Sequence, residues 1–177
     1  MADFEPAFQK TMKNESWALT KTPGDRGLQT FAGISRRFWP NWPGWAQFID
    51  HGITADPALT QLVREFYRAE FWNKIKGDEI NSQAIAEQVY DFAVNAGPVV
   101  AMKLAQLIVG ATPDGAVGPK TIAELDDLKN VIVTAEGYFA LRYFVAKVAR
   151  YAAIANRDKT QRAFILGWVN RALKVVA

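Results

Sequence analysis

Apolar residues recur at helical spacing along most of the chain. Phe4, Phe8 and Met12 lie four residues apart and predict a first helix that ends close to Glu15. Further stripes, bounded by capping residues, prolines and glycines, predict helices over 57–66, 82–96 and 98–109, from 119 onward, over 135–156 and over 160–173. The helix over 135–156 is apolar on most sides, which predicts a central, buried helix.

Strand signals are sparse. The best candidate is a small hairpin between Trp17 and Ile34, where threonines alternate with Pro23, Gly24 and Gly27. The pattern therefore predicts an all-α fold class, mainly α with a small β-hairpin. The segment "IKGDEI" is a candidate boundary between residues 1–76 and 77–177. It is too short to be a linker between independent domains, so we expect the two parts to be integrated into one compact domain.

Composition narrows the chemistry. The 177 residues include no cysteine and a single histidine, His51, which excludes disulfides, thiolate catalysis and most zinc sites. Acid–base chemistry would have to use carboxylates, and we expect neither a metal nor a cofactor. No apolar run approaches the roughly 20 residues of a membrane-spanning helix, and the N-terminus does not have the pattern of a secretory signal.

The net charge of +3 is unevenly distributed. From Leu141 onward there are eight basic residues and a single acid, Asp158. The basic residues are Arg142, Lys147, Arg150, Arg157, Lys159, Arg162, Arg171 and Lys174. Such a region suits an anionic polymer such as nucleic acid, a membrane surface or a bacterial cell wall, and equally the solvated faces of two helices. No nucleic-acid-binding motif accompanies it, so we expect no nucleic-acid partner.

Two stretches carry a family resemblance. The run "ESWALTKTPGDRGLQTFAGIS" has a carboxylate after the first helix, a glycine-bearing turn with an acid, and a threonine at a fixed distance. It resembles the opening of glycoside hydrolase family 108, which comprises lysozyme-like muramidases, phage endolysins and proteins described as secretion activators. "FWNKIKGDEINSQAIAEQVYDFAVNAGPVVAMKLAQ" and "DGAVGPKTI" resemble the peptidoglycan-binding segment that completes that family.

The resemblance implies a lysozyme-like fold and a catalytic set of Glu15, Asp25 and Thr30. Cleavage of a glycosidic bond needs an acid that protonates the leaving oxygen while positive charge grows on the sugar. A glutamate remains protonated near neutral pH only where partial burial disfavours its charged form, and Glu15 is flanked by Met12 and Trp17. Asp25 would stay ionised and stabilise that charge or activate water, which Thr30 would orient.

Three further residues are candidate substrate contacts. Trp17 neighbours Glu15 and offers an indole face to a sugar ring. Asp91 and Asn95 lie four residues apart on one helical face, where they would bind acetamido groups or the peptide stem or, alternatively, satisfy a helix end. The stretch "RRFWPNWPGW" contains three tryptophans, and we expect at least two of them to pack in the interior. We interpret "DGAVGPKT" as mainly structural.

The predicted function is therefore a peptidoglycan hydrolase of the lysozyme or N-acetylmuramidase type that uses general acid catalysis. The alternative is a non-catalytic wall-binding or secretion-assisting protein, because Ser16, Trp17 and Ala18 stand where family members have two glycines and an aromatic residue. The expected partner is peptidoglycan. Without a signal peptide, the protein would be made in the cytoplasm and act on the wall after release by a holin-like pore or another route.

Overall fold

The computed structural model describes residues 1–21, 29–127 and 135–174. The chain forms two compact units. The N-terminal unit is Phe4–Trp72, and the C-terminal unit combines Met1–Asp3 with Asn73–Ala177. Helices predominate in the described ranges and accompany one three-stranded antiparallel sheet, which confirms the mainly α, lysozyme-like class. None of the helices in these ranges combines the length and the apolar character needed to cross a bilayer.

The described residues of the N-terminal unit form three α-helices and the three strands of the sheet. Its elements are α1 (Phe4–Met12), β1 (Leu19–Lys21), β2 (Gln29–Phe31), β3 (Ile34–Ser35), α2 (Pro43–Gln47) and α3 (Pro57–Tyr67). In the sheet, Leu19 pairs with Phe31 and Phe31 with Ile34, so β2 is the central strand. The predicted hairpin is confirmed, and the structure adds the short third strand.

Helix α3 begins where the sequence predicted. The side chain of Asp56 accepts a hydrogen bond of 2.7 Å from the Ala58 N–H, and Pro57 occupies the first turn, where its missing N–H costs nothing. The apolar face of the helix buries Leu59 and Val63. Beyond Tyr67 the chain continues as a π-helical turn, Arg68–Trp72, which no sequence pattern indicated.

Aromatic side chains form much of the core of this unit. Trp42 and Trp45 are buried and meet edge to face at 5.2 Å, which confirms that two of the three clustered tryptophans serve packing. Arg36 stacks over the Trp45 ring and binds both carboxylate oxygens of Asp50, at 2.6 and 2.8 Å. This pair fastens the end of the sheet to the turn that follows α2.

The regular secondary structure in the described residues of the C-terminal unit is all helical. Its helices are α4 (Gln83–Ala96), α5 (Pro98–Val109), α6 (Pro119–Asp126), α7 (Ala135–Arg157) and α8 (Ile165–Lys174). Ser82 caps α4 by accepting a hydrogen bond from the Ile85 N–H at 3.3 Å. Gly97, with a φ of 90°, separates α4 from α5 at the predicted boundary.

The predicted extent of α7 is confirmed, but its predicted burial is wrong. Every fourth side chain is buried, the inward positions being Phe139, Tyr143, Lys147, Tyr151 and Ala155. Leu141 and Val145 on the opposite side are 60% and 56% exposed. The helix packs on α4, α5 and α8 from one side only, so its apolar outer face is not covered by these neighbours.

Candidate active site

Glu15 lies just beyond the end of α1. The Thr11 carbonyl accepts hydrogen bonds from the N–H groups of Asn14 and Glu15, at 2.9 and 3.0 Å, and so closes the last turn. Phe8 and Met12 are buried beneath this turn, while Glu15 itself is half-buried. The carboxylate is therefore carried on a rigid helix end and keeps access to solvent.

A tight turn between β2 and β3 forms the opposite wall. Ala32 and Gly33 have φ values of 48° and 77°, and two consecutive left-handed residues are typical of a two-residue hairpin turn. Glycine adopts this conformation at no steric cost, whereas alanine does so rarely. Ala32 is held there because its carbonyl accepts a buried hydrogen bond of 2.9 Å from the Tyr67 hydroxyl.

The Glu15 carboxylate meets this turn at Gly33. A Cβ atom added to Gly33 would lie 2.7 Å from Glu15 Oε2, and it would also collide with the Tyr67 hydroxyl. The end of α1, the β2–β3 turn and the end of α3 thus bring a carboxyl, a hydroxyl and a glycine together. Because Gly33 is exposed, a substrate can approach this point from solvent.

Sequence reasoning missed Tyr67 and the turn. Tyr67 is buried and packs on Phe8 with ring centroids 5.8 Å apart, so its spacing along the chain indicates only a core residue. The signal for the turn was the dipeptide Ala32–Gly33 between two apolar strand residues.

One other predicted catalytic residue, Thr30, lies in the sheet. Thr30 is half-buried in β2, opposite Thr20 on one neighbour and Ser35 on the other, three residues before Gly33. Since Phe31 points into the core, strand alternation directs Thr30 to the other face of the sheet. Asp25 falls outside the described residues, and its role stays a prediction.

The predicted substrate contacts differ in accessibility. Trp17, two residues after Glu15, is 41% exposed. Asp91 is 7% exposed, and its Oδ1 accepts hydrogen bonds from Nη2 and Nε of Arg171 at 3.1 and 3.3 Å. That ion pair joins α4 to α8, so the geometry gives Asp91 a structural role within the C-terminal unit. Asn95 is half-buried, and its substrate contact stays a prediction.

The described residues contain no group of three or more histidine, aspartate or glutamate side chains placed to hold a metal ion. The carboxyl of Glu15 and the hydroxyl of Tyr67 both lie against Gly33.

Comparison with known proteins decides the family. Residues 8–97, half of the chain, match the family model described as glycosyl hydrolase 108. The chain belongs to glycosyl hydrolase family 108. Residues 100–173 of this family 108 protein match a second model, described as a predicted peptidoglycan domain.

A solved structure has the same fold. That of Brucella abortus SagA superposes with a TM-score of 0.63 at 23% sequence identity, covering 98% of this chain and 95% of that chain. None of the curated proteins matches this one. The two family matches together make this family 108 protein a peptidoglycan hydrolase with glycosidase activity, which confirms the predicted class of enzyme.

Proposed function

We propose that the protein is an N-acetylmuramidase in which Glu15 is the general acid. The observation that carries the proposal is the meeting of the Glu15 carboxylate with the Ala32–Gly33 turn and the Tyr67 hydroxyl. In this reaction the carboxyl donates its proton to the glycosidic oxygen as the bond to the muramic acid carbon breaks. The hydroxyl of a water molecule then adds to that carbon, and its remaining proton returns to a carboxylate.

Tyr67 fixes the turn against which the Glu15 carboxyl lies. Its hydroxyl donates a buried hydrogen bond of 2.9 Å to the Ala32 carbonyl. A Cβ atom at Gly33 would collide with this hydroxyl and with the Glu15 carboxyl, so both groups lie against the same glycine. A glycosidic oxygen that approaches Gly33 from solvent would therefore come close to the carboxyl of Glu15.

We propose that Asp25 and Thr30 complete the catalytic set with Glu15. Asp25 would stabilise the oxocarbenium-like transition state or activate the water, and the Thr30 hydroxyl would orient that water. Trp17, exposed beside Glu15, would contact a sugar ring. Asp25→Asn and Thr30→Ala should each lower turnover without unfolding the protein.

The decisive experiment is Glu15→Gln. Glutamine keeps the size of the side chain but has no acidic proton, so release of reducing ends from purified peptidoglycan should fall by about 10²–10⁴-fold. Glu79→Gln, at an exposed glutamate of the C-terminal unit, is the matched control. Borohydride reduction of the products identifies the bond, since a muramidase leaves muramitol ends and a glucosaminidase leaves glucosaminitol ends.

Wild-type turnover by a correctly folded Glu15→Gln protein would remove Glu15 from the mechanism. Binding without any release of reducing ends by the wild type would favour the non-catalytic alternative. We also propose that the protein acts outside the cytoplasm after release through a holin-like pore or another export route. Expression with and without such a pore, followed by fractionation, tests that route.

A further inference from the structure

An open groove runs along one side of α3 in the N-terminal unit. The loop that follows β3, residues 38–43, forms one wall, and successive turns of α3 and its π-helical extension form the other. The groove has a volume of about 460 Å³, within the range of small-molecule binding sites. Glu15 and Gly33 are not among its lining residues, so it is distinct from the candidate catalytic point.

Two aromatic side chains of the groove remain accessible. Phe38 is 73% exposed and Trp39 is half-buried. The Trp39 ring is held in place by Phe66, which it meets edge to face at 4.9 Å. Phe38 projects into solvent, with the Arg37 guanidinium 5.7 Å from its ring centre. The Trp39 carbonyl also accepts a hydrogen bond of 2.8 Å from the buried Trp45 indole. An ordered aromatic wall left open to solvent is typical of a binding surface.

The polar residues of the groove select among ligands. Glu65 and Glu70 contribute carboxylates and Asn41 contributes an amide, whereas none of the described lining residues is a lysine or arginine. Two carboxylates repel an anionic polymer such as a nucleic acid or a phosphate-rich wall polymer. They accept hydrogen bonds readily from the hydroxyl and amide N–H groups of a neutral sugar.

We propose that this groove is a glycan-binding subsite that holds an intact stretch of the strand while Glu15 acts elsewhere on it. The C–H face of a pyranose ring carries partial positive charge and stacks on the negative face of an indole or phenyl ring. Acceptors beside that ring then fix the hydroxyl and acetamido groups. Helix α3 connects the two places, since Phe66 lies in the groove and the next residue, Tyr67, lies at Glu15. The inference rests on the proposed glycosidase function.

Binding is measured with Glu15→Gln protein, so that the ligand stays uncut. The probe is a chitin oligosaccharide, whose N-acetylglucosamine units offer the hydroxyl and acetamido groups of the strand and carry no charge. Adding Trp39→Ala or Phe38→Ala should weaken binding about tenfold or more, the loss expected when an aromatic anchor is truncated. Phe164→Ala is the matched control, because this ring is 55% exposed in the C-terminal unit and does not line the groove.

Phe38 packs little, so its variant keeps the test valid if Trp39→Ala fails to fold. Unchanged binding of the chitin oligosaccharide by Phe38→Ala overturns the proposal. A loss of binding that is confined to peptide-bearing strands, and that Glu65→Gln and Glu70→Gln reproduce, also overturns the proposal. That pattern would identify the amine of the peptide stem as the occupant of the groove. Turnover is measured separately, by the release of reducing ends. Phe38→Ala in an otherwise wild-type protein should cleave long strands less efficiently and short fragments as efficiently as the wild type. Failure of the wild type to release reducing ends would refute the glycosidase proposal and leave the binding result interpretable.

Discussion

At the scale of single residues, Gly33 sets the distance between the two walls of the candidate site. Any side chain there would occupy the space in which the Glu15 carboxylate and the Tyr67 hydroxyl lie. We expect Gly33→Ala to lower turnover roughly 10²-fold, since displacements of about 1 Å at catalytic groups have effects of that size. The measurement is release of reducing ends from purified peptidoglycan.

Gly52 provides the control for backbone strain. Its φ of 75° almost equals that of Gly33, but a Cβ atom at Gly52 would meet no other atom within 4 Å. Both alanine variants should therefore lose about 1 kcal/mol of stability from the left-handed conformation. Equal losses of turnover in the two would show that strain, and not the collision with Glu15, explains the Gly33 result.

Lys147 is an uncompensated charge in the C-terminal unit. Its side chain is 1% exposed and faces the rings of Tyr143 and Phe92, and its Nζ finds no hydrogen-bond partner among the described residues. Burial lowers its pKa to about 8, while Asp91 opposes and Arg171 adds to that shift. The folded state thus binds this proton less tightly than the unfolded chain does.

Replacing Lys147 by methionine should stabilise the protein. At pH 7 the lysine is charged in both states and the whole penalty is present, so Lys147→Met should raise the free energy of unfolding by on the order of 1–3 kcal/mol. As pH rises through about 8 toward 10, the wild type should gain stability relative to the variant, because its folded state sheds the proton first. Burial raises the pKa of Tyr151 to about 12, whereas tyrosines of the unfolded chain begin to ionise near pH 10. The two proteins are therefore compared below pH 10, so that tyrosine ionisation contributes little to the difference.

Urea denaturation at pH 7 and pH 9.5 measures both effects. Lys103→Met, at an exposed position of α5, should leave the unfolding free energy within about 0.5 kcal/mol of the wild type at both pH values. A destabilised Lys147→Met protein would mean that the ammonium contributes more through its aromatic neighbours than its burial costs.

At the scale of elements, the turn "DGAVGPKT" is organised by one side chain of α5. Gln106 Nε2 lies 2.8 Å from Asp114 Oδ1, 2.9 Å from the Ala116 carbonyl and 3.2 Å from Thr121 Oγ1. Its Oε1 accepts a hydrogen bond of 2.8 Å from the Gly115 N–H. The Ala116 N–H first, and Gln106 second, lower the pKa of Asp114 below its ordinary value. These contacts support the structural interpretation of the motif.

Gln106→Met should therefore loosen the α5–α6 connection. The substitution keeps the length of the buried side chain but leaves the Gly115 N–H without its acceptor, at a cost of about 1–3 kcal/mol. The Ala116 carbonyl and the Thr121 hydroxyl keep only their bond to each other, at 3.3 Å. Hydrogen exchange at Gly115 and the unfolding free energy both report the change. Gln161→Met is the control, since Gln161 is half-buried and its bond to its neighbour Thr160 is long, at 3.4 Å. No difference between the variants would show that the turn holds its shape without Gln106.

At the scale of the whole molecule, the basic C-terminal region is less exposed than its composition suggested. Lys147 is buried and Arg171 pairs with Asp91, so two of its eight basic residues serve the interior. Arg157, Lys159 and Arg162 are exposed and follow one another along the end of α7 and the turn after it. These three are the best candidates for contact with an anionic wall.

Charge reversal of these three residues to glutamate should weaken retention on purified sacculi at low salt. The difference from the wild type should shrink as ionic strength rises from about 0.01 to 0.15 M, because the screening length falls from about 30 to 8 Å. Reversal of Lys74, Lys103 and Lys120, exposed basic residues elsewhere in the same unit, changes the net charge equally and is the control. Equal losses in both variants would assign the effect to net charge alone.

The sequence by itself determined the helices, the type of chemistry and the family. Asp56, Ser82, Gly97 and Pro98 mark helix boundaries through local hydrogen bonds and backbone limits, which depend on residues only a few positions apart. The absence of cysteine and the single histidine restricted catalysis to carboxylates before any fold was known. The motif around Glu15 is likewise a pattern of residues close together in the sequence, so it could indicate the family without knowledge of the fold.

Only the tertiary structure decided what surrounds those residues. Glu15, Gly33 and Tyr67 meet although Tyr67 follows Ala32 by 35 positions, and no local pattern reports such a pairing. The same limit applies to Asp91 and Lys147, because charge predicts exposure to solvent while the helices packed around them place both inside. Helix periodicity gives the direction of a side chain, but the neighbour that it finds there depends on how distant segments of the chain pack.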